Sequence, residues 1–287
     1  PGSGRAVTLV LDFQPNAVHA GIYEAVADGA PIEVREPGSS SDAPKLLEAG
    51  RTDLAIMDIN DVGIAREAGA RIVGVGAIVQ RPLAAVIAAD RDAVRSPADL
   101  AGRRVGVTGL PSDDAVLDTI LDGGGVDAGA IGFEAVPLLA SGRIDAATAF
   151  WNAEGVALRA QGVPTREFRV DDLGAPAYPE LVLVASEELM ASDPEAVDGA
   201  VEALREGYAS AREDPAAAVA TLTDAVPGLD PASQRAQLDA LLAAGAFTPP
   251  LELDAERLEA WSGWAAEGGV LSRPLDIEAA FGAPNVP

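Results

Sequence analysis

The 287-residue chain contains no cysteine, a single histidine and a single lysine. Without cysteine it has no disulfide bond, no thiolate metal site and no cysteine nucleophile. One histidine, His19, is too few for a multi-histidine metal centre, and it makes a catalytic triad hard to build. Carboxylate-only sites survive this argument, but no calcium loop of the D-x-D-x-D-G type is present. The sequence therefore predicts no catalytic residue, no metal and no cofactor.

Positive charge is also scarce. Lys and Arg number 20 against 45 Asp and Glu, so the formal net charge at pH 7 is −25. Nucleic-acid binding needs clustered cations, and this composition argues against it. Adhesion to an anionic bilayer is disfavoured for the same reason. No apolar run approaches the ~20 residues of a membrane span.

Two patterns divide the chain near residue 186. Before it, short apolar runs alternate with amphipathic stretches, which is typical of an α/β fold. Ten strands are predicted in this part, one of them over residues 132–135. After it, four alanine-rich helices with acidic faces follow. Three of them begin at Asp-Pro pairs, where proline suits the first helical turn.

A weak internal repeat relates EAGRTDLAIMDIN, which ends at Asn60, to ASGRIDAATAFWN, which ends at Asn152. Each has a helix end, a Gly-Arg turn, an aspartate and an apolar strand followed by polar or aromatic residues. Because ligands of open α/β sheets bind at the carboxyl ends of strands, the repeat suggests two similar lobes facing one another. Asp58 and Asn60 would come from one lobe, and Trp151 and Asn152 from the other. The alternative is that Gly-Arg-x-Asp is merely a common helix-to-strand turn.

The segment LDFQPNAVHAGIYEA places polar and aromatic residues where a strand ends and a helix begins. Asn16 suits the N-cap of that helix. His19 and Tyr23, four residues apart, lie on one helical face. With Asp12 and Phe13 they form a candidate ligand-facing cluster. The alternative is a capped helix with a core histidine whose hydrogen bonds are satisfied.

The pattern D-[FW]-x-P-N-x-x-H-x-G-x-Y-x-A in this segment resembles the opening of the thiamine-pyrimidine (NMT/THI-like) family. That family includes solute-binding proteins of bacterial ABC importers for N-formyl-aminomethylpyrimidine, and the fungal enzymes that make the thiamine pyrimidine. Further blocks match in order, namely GSSSDAPKLLEAGRTDLAI, QRPLAAVIA, GVTGLPSDDAVL, FWNAEGVAL and APAYPELVLVAS. The resemblance covers about residues 7–190.

The resemblance implies an α/β protein with the two-lobe, type II periplasmic-binding-protein fold and a ligand cleft between the lobes. Residues 7–83 plus 187–287 would form lobe 1 and residues 90–180 lobe 2, with hinge crossings at 84–89 and 181–185. The function it implies is an extracytoplasmic solute-binding protein, periplasmic or a cell-surface lipoprotein, whose leader is missing from this chain. Its partners would be a small heterocycle and an ABC permease, and the protein would be a monomer.

Site residues are inferred from the matching blocks. Trp151 is the candidate for stacking on a flat ring, with Phe13 or Tyr178 closing the other face. Glu180 is the candidate acceptor for an exocyclic amine. The predicted ligand-binding residues are Asp12, Phe13, Asn16, His19, Tyr23, Ser39, Ser40, Asp58, Gly109, Ser112, Trp151, Asn152, Glu154, Tyr178 and Glu180.

Two turns before helices, GSSSD and GVTGLPSDD, carry amides that suit anions or polar ligand atoms. Acidic residues already stand in both turns, including Asp42, Asp113 and Asp114. We therefore expect phosphate to be repelled and the turns to cap themselves.

Other interpretations stay open. A riboflavin-like ligand is also a flat nitrogen heterocycle, and an enzyme of pyrimidine synthesis or a ligand-sensing domain can share the fold. The fungal enzymes carry a cysteine-rich iron-binding motif and consume their own histidine together with bound pyridoxal phosphate. This chain has no cysteine, and its one lysine, Lys45, lies in an amphipathic helix. The enzyme branch is therefore disfavoured.

Overall fold

The apolar runs form strands that are separated by polar or glycine-containing turns. The computed structural model describes residues 5–37, 43–89, 93–122 and 124–282. The strands are β1 (Val7–Val10), β2 (Ile32–Arg35), β3 (Leu54–Asp58), β4 (Ile72–Val79), β5 (Ala84–Ala89), β6 (Arg104–Val107), β7 (Asp127–Ala130), β8 (Ala146–Phe150), β9 (Thr165–Arg169) and β10 (Leu181–Ser186).

Helices follow most of the strands and are the main elements of the chain after β10. The α-helices are α1 (Ala20–Ala27), α2 (Ala43–Glu48), α3 (Ile59–Glu67), α4 (Asp113–Leu121), α5 (Ala135–Ala140), α6 (Glu154–Ala160), α7 (Glu187–Ser192), α8 (Pro194–Glu213), α9 (Pro215–Ala225), α10 (Pro231–Ala243), α11 (Ala255–Glu267) and α12 (Ile277–Ala280). Short 3-10 turns cover Ala17–His19, Pro97–Leu100 and Val170–Asp172. Within the described residues, no helix is both long and apolar enough to cross a bilayer.

The chain divides into two compact units. Unit 1 takes the described residues up to Arg81, then Tyr178–Ser262, and those from Pro274 onward. Unit 2 takes Pro82–Ala177 and Gly263–Arg273. Each unit has its own five-stranded sheet.

The sheet of unit 1 has the order β2-β1-β3-β10-β4. Strand β1 runs parallel to β2 and β3, and β10 runs antiparallel to both of its neighbours. Every residue of β10 is buried, because both faces of this part of the sheet are covered. Its continuous apolar sequence, LVLVAS, reflects that two-sided burial. Helices α1 and α8 approach so closely that a side chain at Gly21 or Gly207 would clash with the other helix.

The sheet of unit 2 repeats this plan with the order β7-β6-β8-β5-β9. Strand β6 runs parallel to β7 and β8, and β5 runs antiparallel to β8 and β9. In both units, three parallel strands therefore adjoin one antiparallel strand and then a fifth strand. This shared order supports the internal repeat found in the sequence.

The predicted strand over residues 132–135 is wrong. Strand β7 lies earlier, and all four of its residues are exposed, so its sequence, DAGA, carries no apolar signal. Gly132 has a φ of +58°, which interrupts the extended backbone. Helix α5 then begins at Ala135, with Pro137 in its first turn, where a missing N–H is tolerated.

The boundaries of the units differ from those predicted. At the expected hinge crossings, 84–89 and 181–185, strands β5 and β10 are each hydrogen-bonded on both edges within one sheet, and their role as a hinge stays a prediction. Residues 263–273, which we expected in lobe 1, belong to unit 2. There Trp264 Nε1 donates to Thr119 Oγ1 at 2.9 Å. Short-range patterns do not reveal which sheet an apolar strand joins.

Helices α8, α9 and α10 begin as predicted, each with proline in its first turn. The preceding aspartates cap them. Asp214 accepts from Ala216 N and Ala217 N, and Asp230 Oδ2 accepts from Ser233 N at 2.7 Å. The tail thus completes unit 1 with capped helices that bury apolar faces.

Candidate functional site

The loop after β1 positions Asp12 through His19. Asn16 caps the following turn, its Oδ1 accepting from Val18 N at 2.9 Å. His19 is fully buried, and its Nδ1 accepts from Asn16 N at 3.1 Å. The ring proton therefore lies on Nε2, which is 2.8 Å from Asp12 Oδ1 and donates to it. Both nitrogens of His19 are occupied, as in the capped-helix alternative. Its predicted contact with ligand stays a prediction.

Two aromatic residues of the same segment differ in exposure. Phe13 is 50% exposed, which is unusual for a large apolar side chain. Tyr23 is half-buried on α1, and its burial, together with the charge of Glu36, raises the pKa of its hydroxyl. Phe13 is therefore the aromatic of this segment whose position best suits a ligand.

Unit 1 holds a carboxyl pair, Asp58 and Glu180, at the adjoining ends of β3 and β10. Leu181 pairs with Asp58 in the sheet, and Ile59 N donates to Glu180 O at 3.0 Å. The two carboxyl groups are close enough that Glu180 adds to the effect of burial in raising the pKa of Asp58. Glu180 is 3% exposed. The geometry thus brings together two predicted site residues that lie far apart in the sequence.

The environment of this pair favours the protonated form of Asp58. Burial is the largest cause of its strongly raised pKa, followed by the charges of Glu180 and Asp61. A hydrogen bond from Asn60 N, 2.7 Å from Asp58 Oδ1, opposes the shift. Burial also raises the pKa of Asp61. The cluster is therefore an acidic site that holds a proton more readily than ordinary aspartates do.

Asn60 is committed to the core of unit 1. Its Oδ1 accepts from Trp261 Nε1 at 3.0 Å, and both residues are buried. Trp261 also packs edge-on against Phe281. Trp261 is therefore a packing residue of unit 1.

A pocket in unit 2 combines aromatic, apolar and polar side chains. Phe133, 59% exposed, and Phe150 line it. The other lining residues are Ala84, Thr108, Leu110, Ser112, Asp113, Val116, Ala135, Thr148, Ala149 and Glu154. Apolar walls with a few converging polar groups are typical of small-molecule sites.

Among the residues that line the pocket, Glu154 has a carboxyl group with a shifted pKa. Burial raises its pKa, while hydrogen bonds from backbone amides, including Phe150 N at 3.0 Å from Oε2, offset part of the shift. Ser112 is half-buried at the start of α4, and Gly109 turns the preceding loop with a φ of +92°. Three predicted site residues, Gly109, Ser112 and Glu154, thus lie at or next to one pocket.

Trp151 lies in the interior of unit 2. It is fully buried, and its Nε1 donates to Pro82 O at 3.0 Å. The guanidinium of Arg169 lies 4.0 Å from the centre of the ring. This packing is that of a core residue, and stacking of Trp151 on a ligand stays a prediction. Asn152, 3% exposed, has a buried Oδ1 that accepts from no described residue.

Of the twelve lining residues, only Ser112 and Glu154 were predicted as ligand-binding; the aromatic and threonine residues that were missed are Thr108, Phe133, Thr148 and Phe150. Phe150 and Thr148 are the last and third-last residues of β8, so their alternate positions share one side of the strand. That spacing was a usable signal. Phe133 lies in the stretch predicted as a strand, which concealed it. Ser39 and Ser40 lie outside the described residues, and Tyr178 is 1% exposed at the start of the second segment of unit 1.

Comparison with known proteins gives a family and a fold. The model of the family described as NMT1/THI5 like matches residues 16–218. The formylaminopyrimidine-binding protein of Halalkalibacterium halodurans is 31% identical over 223 residues, which are 74% of this chain and 68% of that protein. The 4-amino-5-hydroxymethyl-2-methylpyrimidine phosphate synthase of Legionella pneumophila is 25% identical over 237 residues, 78% of this chain and 74% of the synthase.

Two solved structures share the fold over nearly the whole chain. The periplasmic aliphatic sulphonate binding protein SsuA of Escherichia coli has a TM-score of 0.75 and 19% identity, covering 99% of this chain and 94% of that one. The alkanesulfonate-binding protein SsuA of Xanthomonas axonopodis pv. citri has a TM-score of 0.72 and 20% identity, covering 97% and 99%. The predicted α/β periplasmic-binding-protein fold is confirmed.

Proposed function

Because the chain belongs to the NMT1/THI5-like family, we propose that it is an extracytoplasmic solute-binding protein that captures a thiamine-pyrimidine precursor, or a similar flat nitrogen heterocycle, for an ABC importer. The fold of solute-binding proteins and the formylaminopyrimidine-binding relative support a binding role. In this proposal the protein acts as a monomer and is not an enzyme.

The carboxyl pair of Asp58 and Glu180 carries the ligand assignment. A pair that shares one proton presents an O–H donor beside an oxygen acceptor. An aminopyrimidine edge offers the complement, because its ring nitrogen accepts and its exocyclic amine donates. Charge-assisted hydrogen bonds of this kind are among the stronger polar contacts. The raised pKa of Asp58 supports the shared proton.

The unit 2 pocket supports recognition of a flat ring. Phe133 and Phe150 offer aromatic surface, and offset or edge-on contacts between rings add ~0.5–1.5 kcal/mol beyond area burial. Glu154 offers a further carboxyl with a raised pKa. The expectation that one ligand uses residues of both units stays a prediction, so variants in each unit are best measured separately.

Calorimetric titration with N-formyl-aminomethylpyrimidine tests the proposal. Glu180→Gln keeps the shape of the side chain but removes its charge, and we expect it to weaken binding about ten- to a hundredfold. Glu188→Gln, an exposed position on α7, removes the same charge and should bind as the wild type does. No binding by the wild-type protein, or equal affinity in both variants, would overturn the ligand assignment.

Three further measurements separate the alternatives. Riboflavin should bind more weakly than the pyrimidine, and its affinity should not depend on Glu180. Incubation with iron and pyridoxal phosphate should leave the mass of the His19 peptide unchanged, because the synthesis reaction of the fungal branch consumes its histidine. A mass change at His19 with formation of a pyrimidine would establish an enzyme instead. Loss of labelled-pyrimidine uptake in a deletion strain would support import.

A further inference from the structure

The carboxylate of Asp113 lies in a closed set of hydrogen-bond donors. Its Oδ2 accepts from Gly109 N at 2.6 Å and from Leu110 N at 2.9 Å. Its Oδ1 accepts from Thr148 Oγ1 at 2.8 Å, and Thr108 Oγ1 lies 2.9 Å from Oδ1 and 3.0 Å from Oδ2. Asp113 is 7% exposed. Two amides and two hydroxyls thus surround one buried carboxylate.

These donors are held in place by the fold rather than by Asp113 alone. Gly109 has a φ of +92°, a conformation that glycine adopts readily and that turns successive amides toward one point. Thr148 Oγ1 accepts from Thr108 N at 3.1 Å, so its own proton is free to point at Asp113. Thr148 is anchored within β8. Converging loop amides and hydroxyls of this kind suit the oxygens of a tetrahedral anion.

Asp113, Thr108 and Thr148 line the same pocket as the aromatic rings of Phe133 and Phe150. We propose that Asp113 is a specificity-determining residue that fills the donor set with an internal carboxylate and thereby excludes sulfonate and phosphate solutes from the unit 2 pocket. An incoming oxyanion would meet a fixed negative charge and would find the donors already occupied. Neutral or cationic heterocycles carry no such penalty.

The inference rests on the proposed function in one respect, because it takes the unit 2 pocket as part of the solute site. It adds the class of solute that this pocket rejects and the residue responsible. It also makes a gain-of-function claim, since removal of one side chain should convert a pocket that repels anions into one that binds them. Glu154 faces the same pocket and stays in place in every variant.

The test uses the full chain and two oxyanions, sulfate and methanesulfonate, with sodium chloride at equal ionic strength as the reference. Asp113→Ala empties the donor set. We expect it to gain saturable binding of either anion, with an apparent affinity at least about tenfold above that of the wild type, measured by thermal shift and calorimetry. The control is Asp114→Ala, which removes an exposed charge from the same turn and should behave as the wild type does.

If Asp113→Ala melts without a cooperative transition, Asp113→Asn decides the question, because it keeps the side-chain shape, loses the charge and exchanges one acceptor oxygen for an NH2 donor, which releases some of the surrounding donors. Its affinity for sulfate should exceed that of Asp114→Ala. A folded Asp113 variant that binds both anions no better than the Asp114 control would overturn the proposal and leave Asp113 with a purely structural role. Titration of the same proteins with the pyrimidine keeps the two proposals separate, because a gain of anion binding without pyrimidine binding rejects only the proposed function.

Discussion

The two units share one backbone plan but differ in the chemistry of the carboxyl groups beyond their strands. In each sheet, the aspartate of the Gly-Arg-x-Asp turn comes just before one of the three parallel strands. Its carboxylate accepts a hydrogen bond from the backbone of the middle strand of the three. Asp53 Oδ2 accepts from Thr8 N at 2.8 Å, and Asp145 Oδ2 accepts from Arg104 N at 3.0 Å. At the carboxyl end of the third parallel strand in unit 1, β3, the last residue is Asp58. The repeat therefore preserves the scaffold, including its Gly-Arg-x-Asp turn, and leaves the site free to diverge.

The divergence concerns how each unit treats a carboxyl group. In unit 1, Asp58 lies beside a second carboxyl, and both burial and repulsion favour its protonated form. In unit 2, Asp113 accepts hydrogen bonds from two backbone amides and two threonine hydroxyls. Units with a similar fold thus differ: unit 1 has a carboxyl pair that favours a bound proton, and unit 2 has a carboxylate whose two oxygens accept several hydrogen bonds. The predictions below test this contrast.

The largest expected effect comes from removing a buried ring in either unit. Trp151→Ala in unit 2 and Trp261→Ala in unit 1 should each cost ~3–5 kcal/mol of unfolding free energy, because both side chains are fully buried. Thermal or denaturant melting measures the loss. Near-normal stability in Trp151→Ala together with weakened ligand binding would instead restore Trp151 as the stacking residue.

The pH dependence of stability separates the carboxyl pair from ordinary acids. Because the pKa of Asp58 is raised in the folded state, its contribution is most favourable below its unfolded value and declines as pH rises through the folded pKa. Asp58→Asn removes that decline. The variant should therefore gain stability relative to the wild type, on the order of 1 kcal/mol, between about pH 4 and pH 8.

Melting midpoints across that range measure the difference. The matched change is Asp28→Asn, at an exposed acid beyond the end of α1, which controls for the loss of one surface charge. A constant difference for Asp58→Asn would show that the pair shares no proton.

The smallest expected effect comes from replacing Asp53 or Asp145, the aspartates of the two Gly-Arg-x-Asp turns. We expect the two residues to contribute equally to stability. Burial alone raises the pKa of Asp53, but hydrogen bonds from Arg5 and Thr8 outweigh it and lower the pKa. For Asp145 hydrogen bonds from Arg104 likewise outweigh burial. Each group therefore adds stability above its unfolded pKa that is lost as pH falls through the folded pKa.

Asp53→Asn and Asp145→Asn should each lower stability by about 1 kcal/mol at neutral pH and by less in acid. Denaturant melts of both variants at the two pH values measure this. Unequal losses at neutral pH would mean that the repeat is a resemblance of sequence without a shared structural role.

Local patterns predicted most strands and helices, because burial of one face imposes a period on the side chains. The exceptions have local causes. Strand β7 is exposed and consists mainly of small residues, so its sequence shows no such period. Helix α7 was not predicted, although Ser186 caps it by accepting from Leu189 N at 3.1 Å. The predicted site was less complete, since Phe133 and the two threonines that donate to Asp113, Thr108 and Thr148, were missing from it.

The sequence by itself determined the family, the alternation of strands and helices, and the capped helices of the tail, because these depend on residues close together in the chain. Only the tertiary structure decided that Glu180 adjoins Asp58 and that Thr148 donates to Asp113, which lies 35 residues away. It also decided that Trp151 is enclosed and that β5 and β10 are interior strands, each with a neighbour on both sides. Strand order and burial depend on contacts between distant segments, and no local period encodes which segments meet.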